Sequence, residues 1–323
     1  MSDCRIGFVG AGGVAARHAG MLSELRGVRV VAVTDPASDR AERFANTFGT
    51  ATAPDVDRLL STELDAVYVC VPPAAHGPIE EAVVDAGLPM FVEKPLSVDT
   101  ATAARVAAAV RRAGVVTAVG HHWRYADSVC RAARLLAGRQ VRLVLGSWLD
   151  RVPPVSWWTS RQLSGGQVVE QAVHVLDLAR LLVGEVTQVG AMAGGRLPDP
   201  QADIDTSTAA VLRFAGGAVG TLAATCVLPV KRRAGLEIYA DGLELSVLED
   251  SLVVRDERDG EQTWPVDPDV AKRAADLAFV DAVRGRGDDI RVSYGEALRT
   301  HQLACAVAAS VTTHGQEYDR AGI

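Results

Sequence analysis

Short, unbroken apolar runs alternate with helical segments over the first 120 residues, and this alternation constrains the fold more than any other feature of the sequence. Unbroken apolar runs are typical of strands that are buried on both faces, and intervening helices allow such strands to pair in parallel. We therefore predict a doubly wound α/β domain with right-handed crossovers over residues 1–120. Its predicted strands are Ile6–Val9, Val28–Thr34, Ala66–Val71, Met90–Val92 and Val115–Val119.

The pattern changes after Gly120. Longer strand-like segments follow, and two pairs of them are joined by Gly216-Gly217 and Asp241-Gly242, which are typical hairpin turns. We predict a second domain of α+β type over residues 121–323, with a mainly antiparallel sheet and closing helices near Ala271–Arg286 and Tyr294–Thr313. A length of 323 residues agrees with two domains, because a domain commonly holds about 150 residues.

The charge balance and the cysteines exclude several classes of function. Lys and Arg number 33 and Asp and Glu number 40, which gives a net charge of −7. An acidic chain without a basic block binds nucleic acid and anionic membranes poorly, so neither is predicted as a partner. The five cysteines are dispersed and odd in number, which predicts reduced thiols and a cytoplasmic location. We expect neither a signal peptide nor a transmembrane helix.

The first predicted strand ends in a glycine-rich loop, Gly10-Ala11-Gly12-Gly13-Val14-Ala15, of the form G-x-G-x-x-A. Gly10 permits a tight turn, Gly12 lets the main chain approach a pyrophosphate, and Ala15 keeps the helix close to the strand. Gly13 and Val14 open that helix, whose free N–H groups and dipole favour phosphate. The loop therefore predicts a dinucleotide site, and the alternative is a tight turn that binds nothing.

The second predicted strand ends at Thr34-Asp35-Pro36, with Asp35 25 residues after Gly10. An acidic side chain near this distance meets the adenosine ribose in dinucleotide-binding folds, where it would repel a 2′-phosphate. We therefore predict NAD rather than NADP as the cofactor. Arg40 is the nearby candidate cofactor contact that could favour NADP, although its position indicates a helix face. The alternative for Asp35 is that it only begins the Asp-Pro turn.

Lysine is rare in this chain, and one of its three lysines follows the fourth predicted strand. Lys94 lies in Phe91-Val92-Glu93-Lys94-Pro95, at the carboxyl end of the strand, where open parallel sheets bind ligands. Lysine can transfer a proton and arginine cannot, so a lysine retained in an arginine-rich chain indicates chemistry. The alternative is a surface ion pair with Glu93. Lys231 and Lys272 lie in polar stretches and are interpreted as ordinary surface residues.

A second cluster of ionisable residues follows a glycine pair in the second domain. If the segment is helical, Glu170, His174 and Asp177 fall at i, i+4 and i+7 and share one face. A histidine with a carboxylate one turn away can act as a base with an orienting group. A solvated stripe and a zinc site are the alternatives, and zinc would need a third ligand from His121 or His122. We predict no metal.

Polar and aromatic residues gather at other predicted strand ends. His76 follows Val71-Pro72-Pro73, His122 and Arg124 follow the fifth strand, and Trp157-Trp158 precede the second cluster. Such residues suit a polyhydroxylated ligand, because aromatic rings stack on its C–H faces. Trp158 is therefore predicted to contact the substrate, and the alternative is that the paired tryptophans belong to the core.

Found together and in this order, these motifs resemble the glucose–fructose oxidoreductase, inositol dehydrogenase and rhizopine catabolism (Gfo/Idh/MocA) family of oxidoreductases. The resemblance covers almost the whole chain. It rests on the glycine loop, Asp35, Val71-Pro72-Pro73 with His76, Glu93-Lys94-Pro95, and the segment from Gly165-Gly166 through His174 and Asp177.

The resemblance implies an N-terminal Rossmann domain and a C-terminal domain with a large open sheet. It also implies a homodimer or homotetramer that assembles through that sheet. The implied reaction transfers a hydride between a nicotinamide cofactor and a secondary hydroxyl or ketone of a sugar, aminosugar or cyclitol. An NAD-dependent glycosidase that oxidises its substrate transiently, and a non-catalytic NAD-binding regulator that senses sugars, are the alternatives.

Carried over by position, the resemblance also implies roles for single residues. Lys94 would hold the nicotinamide and the reacting hydroxyl, His174 would exchange the proton, and Glu170 would orient His174. Glu170 stands where the family commonly has Asp, which bears on the substrate more than on the reaction type. The implied cofactor contacts are Pro72, His76 and Glu93, and the implied substrate contacts are His122, Arg124 and Asp177.

Overall fold

A six-stranded parallel sheet in the order β3-β2-β1-β4-β5-β6 organises the first part of the chain, as a computed structural model of residues 3–257 and 260–311 describes it. The predicted doubly wound parallel sheet is confirmed. The short strand β3 escaped prediction because its two residues are exposed and carry no apolar run. The strands are β1 (Cys4–Val9), β2 (Val28–Thr34), β3 (Ala51–Thr52), β4 (Ala66–Val69), β5 (Met90–Val92) and β6 (Thr117–Val119).

Helices connect these strands, and their ends follow local capping chemistry. Asp55 and Asp99 accept backbone N–H bonds at the N-termini of the third and fifth helices. Gly49 and Gly114 end the second and fifth helices in the left-handed conformation, as their positions predict. The helices are α1 (Gly13–Ser23), α2 (Ser38–Phe48), α3 (Val56–Leu60), α4 (Pro78–Asp85), α5 (Thr100–Ala113) and α6 (Asp127–Leu136).

An eight-stranded sheet in the order β14-β13-β12-β11-β7-β10-β9-β8 forms the second part. Its neighbours pair antiparallel except β7 and β10, so the predicted mainly antiparallel sheet and both predicted hairpins, β9–β10 and β11–β12, are confirmed. The strands are β7 (Val141–Leu149), β8 (Val186–Arg196), β9 (Asp205–Phe214), β10 (Val219–Thr225), β11 (Arg233–Ala240), β12 (Leu243–Leu248), β13 (Ser251–Asp256) and β14 (Gly260–Pro265).

One face of this sheet is covered by helix, and the other is exposed along several strands. The helix α8 (Val173–Val183), which follows the short α7 (Arg161–Ser164), packs against β7 and β11. In β9 buried and exposed residues alternate strictly, which is typical of a strand with one face on the core. The exposed face carries large apolar side chains, among them Met192 (67% exposed) and Val211 (62% exposed).

The chain divides into two compact units that are not consecutive in sequence. The first unit holds the described residues up to Cys130 together with Val266–His301, and the second holds Arg131–Pro265 with the described residues from Gln302 onward. We predicted consecutive domains that meet after residue 120, and the units differ from that division because α9 (Pro268–Val283) and the start of α10 (Tyr294–Ser310) belong to the first. Residues 312 and 313 of the predicted last helix lie outside the described residues.

Within residues 3–257 and 260–311, none of the helices has both the length and the apolar character that crossing a membrane requires.

Candidate active site

The glycine loop joins β1 to α1, and its glycines are required for different reasons. Gly10 has a φ of +93°, and a Cβ there would lie 2.2 Å from the carbonyl oxygen of Cys70, so the chain itself requires glycine. A Cβ on Gly12 or Gly13 would meet no atom within 4 Å. The space above these two residues faces the N-terminus of α1, where free N–H groups and the dipole favour a pyrophosphate. The residues present therefore fit a dinucleotide.

Asp35 holds the glycine loop and the start of α2 together. Its Oδ2 accepts the N–H of Ala11 at 2.9 Å, and its Oδ1 accepts the N–H of Ala37 at 2.9 Å. The Arg40 guanidinium lies 3.4 Å from Oδ2, on α2 as predicted, with half of its side chain exposed. Asp35 therefore shapes the Asp-Pro turn, which was the alternative to a cofactor contact. It also places a carboxylate beside the glycine loop. Ribose contacts by Asp35 and Arg40 stay predictions.

Lys94 and Glu93 follow β5 at the carboxyl edge of the parallel sheet. Lys94 is half-buried and Glu93 is buried. Glu93 does not form a surface ion pair. Its Oε2 accepts the N–H of Lys94 at 3.1 Å, and its carboxylate lies so close to Gly120 that a Cβ there would be 2.7 Å from both oxygens. The Glu93 carboxylate is thus fixed in place immediately before Lys94. A direct contact between Glu93 and the cofactor stays a prediction.

A buried hydrogen-bonded network holds Glu93 in this position. His18 on α1 places Nε2 3.0 Å from Glu93 Oε1 and Nδ1 2.7 Å from Asp276 Oδ1. Tyr68 on β4 donates its hydroxyl to the same Asp276 oxygen at 3.2 Å. The His18 ring also lies 5.0 Å from the ring of Phe91. This network connects the edge that carries Lys94 to α9, and the sequence analysis did not find it.

The charges of this network set unusual proton affinities. Burial by itself lowers the pKa of His18, but the carboxylates of Asp276 and Glu93 outweigh it and raise that pKa to about 9. Burial likewise raises the pKa of Glu93, but His18, Arg17 and Lys94 together lower it to about 2. At neutral pH His18 is therefore an imidazolium between two carboxylates.

The network predicts that the stability of the first unit depends on pH. A histidine whose pKa is raised on folding stabilises fully below its unfolded pKa, near 6.5, and loses that contribution as pH rises through about 9. Glu93 acts in the opposite sense, because its contribution is present above about 4.5 and is lost as pH falls through about 2. We therefore expect the midpoint temperature of thermal unfolding to decrease as the pH is raised from 7 to 10. A His18→Leu variant with the same alkaline slope would contradict this assignment.

Pro72 and His76 follow β4 in a short 3-10 turn, and they differ in exposure. Pro72 is exposed, whereas His76 is completely buried. His76 Nδ1 is hydrogen-bonded to Glu80 Oε1, and Glu80 Oε2 accepts the N–H of Gly77 at 2.6 Å. His76 therefore organises the start of α4 in this conformation, and the cofactor contacts of Pro72 and His76 stay predictions.

His122 and Arg124 lie in the 3-10 turn after β6, and both are largely enclosed. Burial lowers the pKa of His122 to about 3, against the raising influence of Glu93, so its ring is neutral at physiological pH. The Arg124 guanidinium is buried and lies 3.0 Å from a carboxylate oxygen of Glu296 on α10. Arg124 thus forms an ion pair within the first unit. The substrate contacts of His122 and Arg124 stay predictions.

The second cluster is helical, but it is not one regular α-helix. Residues Val168–Ala172 form a π-helical turn, and α8 begins only at Val173. A π turn rotates successive side chains less than an α turn does, and such turns are frequent at functional sites. His174 is 6% exposed and Asp177 is 1% exposed, which contradicts the alternative of a solvated stripe. The substrate contact of Asp177 stays a prediction.

Trp158 is buried within the second unit. Its ring is 0% exposed and packs with Ile204 and Cys226, so the ring offers no surface to a substrate in this conformation. Its indole Nε1 instead donates to Glu170 Oε2 at 2.7 Å. Trp158 thus fixes the carboxylate one turn before His174, and its substrate contact stays a prediction.

The His174 ring is stacked against Trp148 of β7, with ring centroids 5.8 Å apart and planes 18° apart. The sequence analysis did not single out Trp148, since nothing in its local pattern distinguishes it from a core residue. Among the described residues, no group of three or more His, Cys, Asp or Glu side chains is arranged to hold a metal ion.

Comparison with known proteins agrees with this architecture. The oxidoreductase family with an NAD-binding Rossmann fold, GFO/IDH/MocA, matches residues 4–121, and the GFO/IDH/MocA C-terminal domain matches residues 137–244. The chain belongs to the Gfo/Idh/MocA family of oxidoreductases.

Individual relatives are distant in sequence. The uncharacterized oxidoreductase YrbE of Bacillus subtilis is 27% identical over 226 residues, which cover 67% of this chain and 65% of that protein, just under two thirds of its length. The UDP-N-acetylglucosamine 3-dehydrogenase of Acidithiobacillus ferrooxidans is 29% identical over 299 residues, which cover 90% of this chain and 88% of that protein. A levoglucosan dehydrogenase solved with NADH and levoglucosan superposes with a TM-score of 0.87 at 20% identity, covering 96% of this chain and 97% of that one, and shows the shared fold.

Proposed function

We propose that this protein is an NAD-dependent dehydrogenase or ketoreductase that acts on a secondary hydroxyl of a sugar, aminosugar or cyclitol. The observation that carries the proposal is the place of Lys94. It stands at the carboxyl edge of the parallel sheet that bears the glycine loop, directly after a carboxylate fixed by a buried network. Two relatives are named as a UDP-N-acetylglucosamine 3-dehydrogenase and a levoglucosan dehydrogenase, and these names support this substrate class.

The proposed cofactor is NAD, held by the glycine loop with the Asp35 carboxylate beside it. When bound, NAD supplies a hydride acceptor at C4 of the nicotinamide. Lys94 donates a hydrogen bond to the substrate hydroxyl and orients it. His174 would take the proton of that hydroxyl. Glu170, fixed by Trp158, orients His174.

A panel of substrates tests this function. Purified protein is mixed with NAD, or with NADP in parallel, and with single cyclitols, aldoses, aminosugars and nucleotide sugars, while NADH absorbance is followed. We expect NADH to form with at least one class, and more slowly with NADP. Release of a free sugar from a glycoside without net NADH would indicate the transient-oxidation glycosidase instead. Tight NAD binding without turnover on any compound would indicate the regulator.

Assembly and location complete the proposal. The exposed apolar side chains on the eight-stranded sheet, Met192 and Val211 among them, support a homodimer or homotetramer formed through that face. Light scattering of the purified chain measures this state directly. The five cysteines are dispersed and odd in number, which supports a cytoplasmic location. A small polyhydroxylated molecule is the proposed partner.

A further inference from the structure

The Trp148 ring stacks on the His174 ring. Trp148 lies on β7, and its ring is nearly parallel to the imidazole, at 18° and 5.8 Å between centroids. Both residues are buried. Gly146, two positions earlier on the same face of β7, has no room for a side chain, because a Cβ there would lie 2.9 Å from Val175 of α8. The strand and the helix are therefore in close contact at this point.

Lys231 places a charge on this aromatic pair. Its Nζ lies 4.1 Å from the centroid of the Trp148 ring, in the range of a cation–π interaction, and 2.5 Å from Oε2 of Glu249. Both side chains are about one third exposed. The two centroid distances put the ammonium at most about 10 Å from the His174 ring. Lys231, interpreted from sequence as an ordinary surface residue, is thus an ordered cation near the proposed base.

Charged side chains lie on the segment that carries His174 and beside Trp148. Glu170 and Asp177 lie on the same helical segment, about one turn before and after it. From β11, Leu236 faces α8, as its contact beside Gly146 shows. The neighbouring Arg233 and Glu237 alternate with it and pair with each other at 2.6 Å. The Lys231–Glu249 pair beside Trp148 thus adds a charge from outside the helical segment that carries His174.

We propose that Trp148 and Lys231 are positioning residues for His174. Trp148 holds the plane of the imidazole, and the Lys231 ammonium opposes a second positive charge there, which favours the neutral, proton-accepting ring. The Glu249 carboxylate holds this ammonium and partly offsets it. The inference rests on the proposed function, because His174 is the proposed proton acceptor.

Opposite shifts in the pH profile test the role of the charge. The acid limb of kcat/KM for oxidation reports protonation of the essential base in the free enzyme. Removing the cation in Lys231→Met is expected to move this limb to higher pH, by about half a unit for charges roughly 10 Å apart in a partly screened site. Removing the anion in Glu249→Gln is expected to move it to lower pH. Arg142→Met is the matched control, because it removes an exposed, ion-paired cation from β7, the strand that carries Trp148. This substitution should leave the acid limb in place.

Substitution of Trp148 tests the positioning of the ring. Trp148→Leu removes the stacking surface and is expected to lower kcat about tenfold with little change in KM, since only the orientation of the base is lost. Trp148→Phe keeps an aromatic face and should restore most of kcat. A tenfold loss in both variants, or in neither, would show that stacking does not position His174.

The outcome separates this inference from the proposed function. Acid limbs that stay unchanged, or that move in the same direction in Lys231→Met and Glu249→Gln, overturn the inference while dehydrogenase activity stands. If the protein turns over no polyol, the proposed function fails. NMR titration of the His174 Cε1–H signal, assigned with His174→Gln, then still measures whether the two substitutions shift its midpoint in opposite directions.

Discussion

Lys94→Met is expected to lower kcat by about 10³-fold on any substrate that the wild-type protein oxidises, in the range by which a positioned proton-transfer group accelerates reactions. Methionine keeps an unbranched stem of similar length but cannot donate a hydrogen bond or carry a proton. The affinity for NADH should change less than about tenfold, because the glycine loop binds through its backbone. Steady-state turnover and NADH fluorescence titration measure the two quantities.

Two further variants make the Lys94 test specific. Lys94→Arg keeps the positive charge but not a transferable proton, so it is expected to be nearly as inactive as Lys94→Met. Arg105→Met removes an exposed cation that pairs with Glu81 in the same unit and should leave kcat unchanged. Turnover of Lys94→Met within a few-fold of wild type would refute the assigned role.

His18→Leu is expected to reduce the stability of the first unit by about 3–5 kcal/mol, the usual cost of removing one partner from a buried ion pair. The substitution leaves the carboxylates of Asp276 and Glu93 buried without the imidazolium between them. Their mutual repulsion and desolvation then oppose folding at neutral pH. Urea unfolding followed by circular dichroism measures the change.

A second buried histidine provides the control for this prediction. His301 on α10 is equally buried, but burial lowers its pKa, so it is neutral and its Nε2 lies 3.1 Å from the Asp99 carbonyl oxygen. His301→Leu should therefore cost only about 1–2 kcal/mol. The double variant His18→Leu/Asp276→Leu should recover much of the loss, because it removes an unpaired carboxylate together with its partner. Equal losses for His18→Leu and His301→Leu would mean that the charge of His18 contributes nothing.

The parts of the site that could be predicted from sequence are those that lie within one strand–turn–helix unit. The glycine loop follows a strand and opens a helix, and Lys94 follows another strand, so their places at the sheet edge depend only on the parallel topology. The alternation that predicts this topology is local, because each strand and each helix carries its own apolar period. The same reasoning placed His174 and Asp177 on one face of a helical segment, and the structure shows that both are buried.

The features that could not be predicted from sequence have a common cause. The turn at Val168–Ala172 is π-helical, a change of one residue per turn that the apolar pattern does not encode. Trp158 resembles any other tryptophan in sequence, and only its burial beside Glu170 shows that it holds a carboxylate. Lys231 lies in a polar stretch, and its cation–π contact with Trp148 depends on how the strands pair.

By itself, the sequence determined the two kinds of sheet, the nucleotide loop and the scarce lysine at a strand end, because these features arise from periodicity and from the conformations that glycine permits. Tertiary structure alone decided which charges surround the candidate catalytic residues. Asp276 meets His18 across 258 positions of sequence, and Lys231 and His174 both contact the ring of Trp148. Such contacts depend on burial and distance in the folded chain, since the energy of a charge is set by the dielectric and the partners around it rather than by its neighbours in sequence.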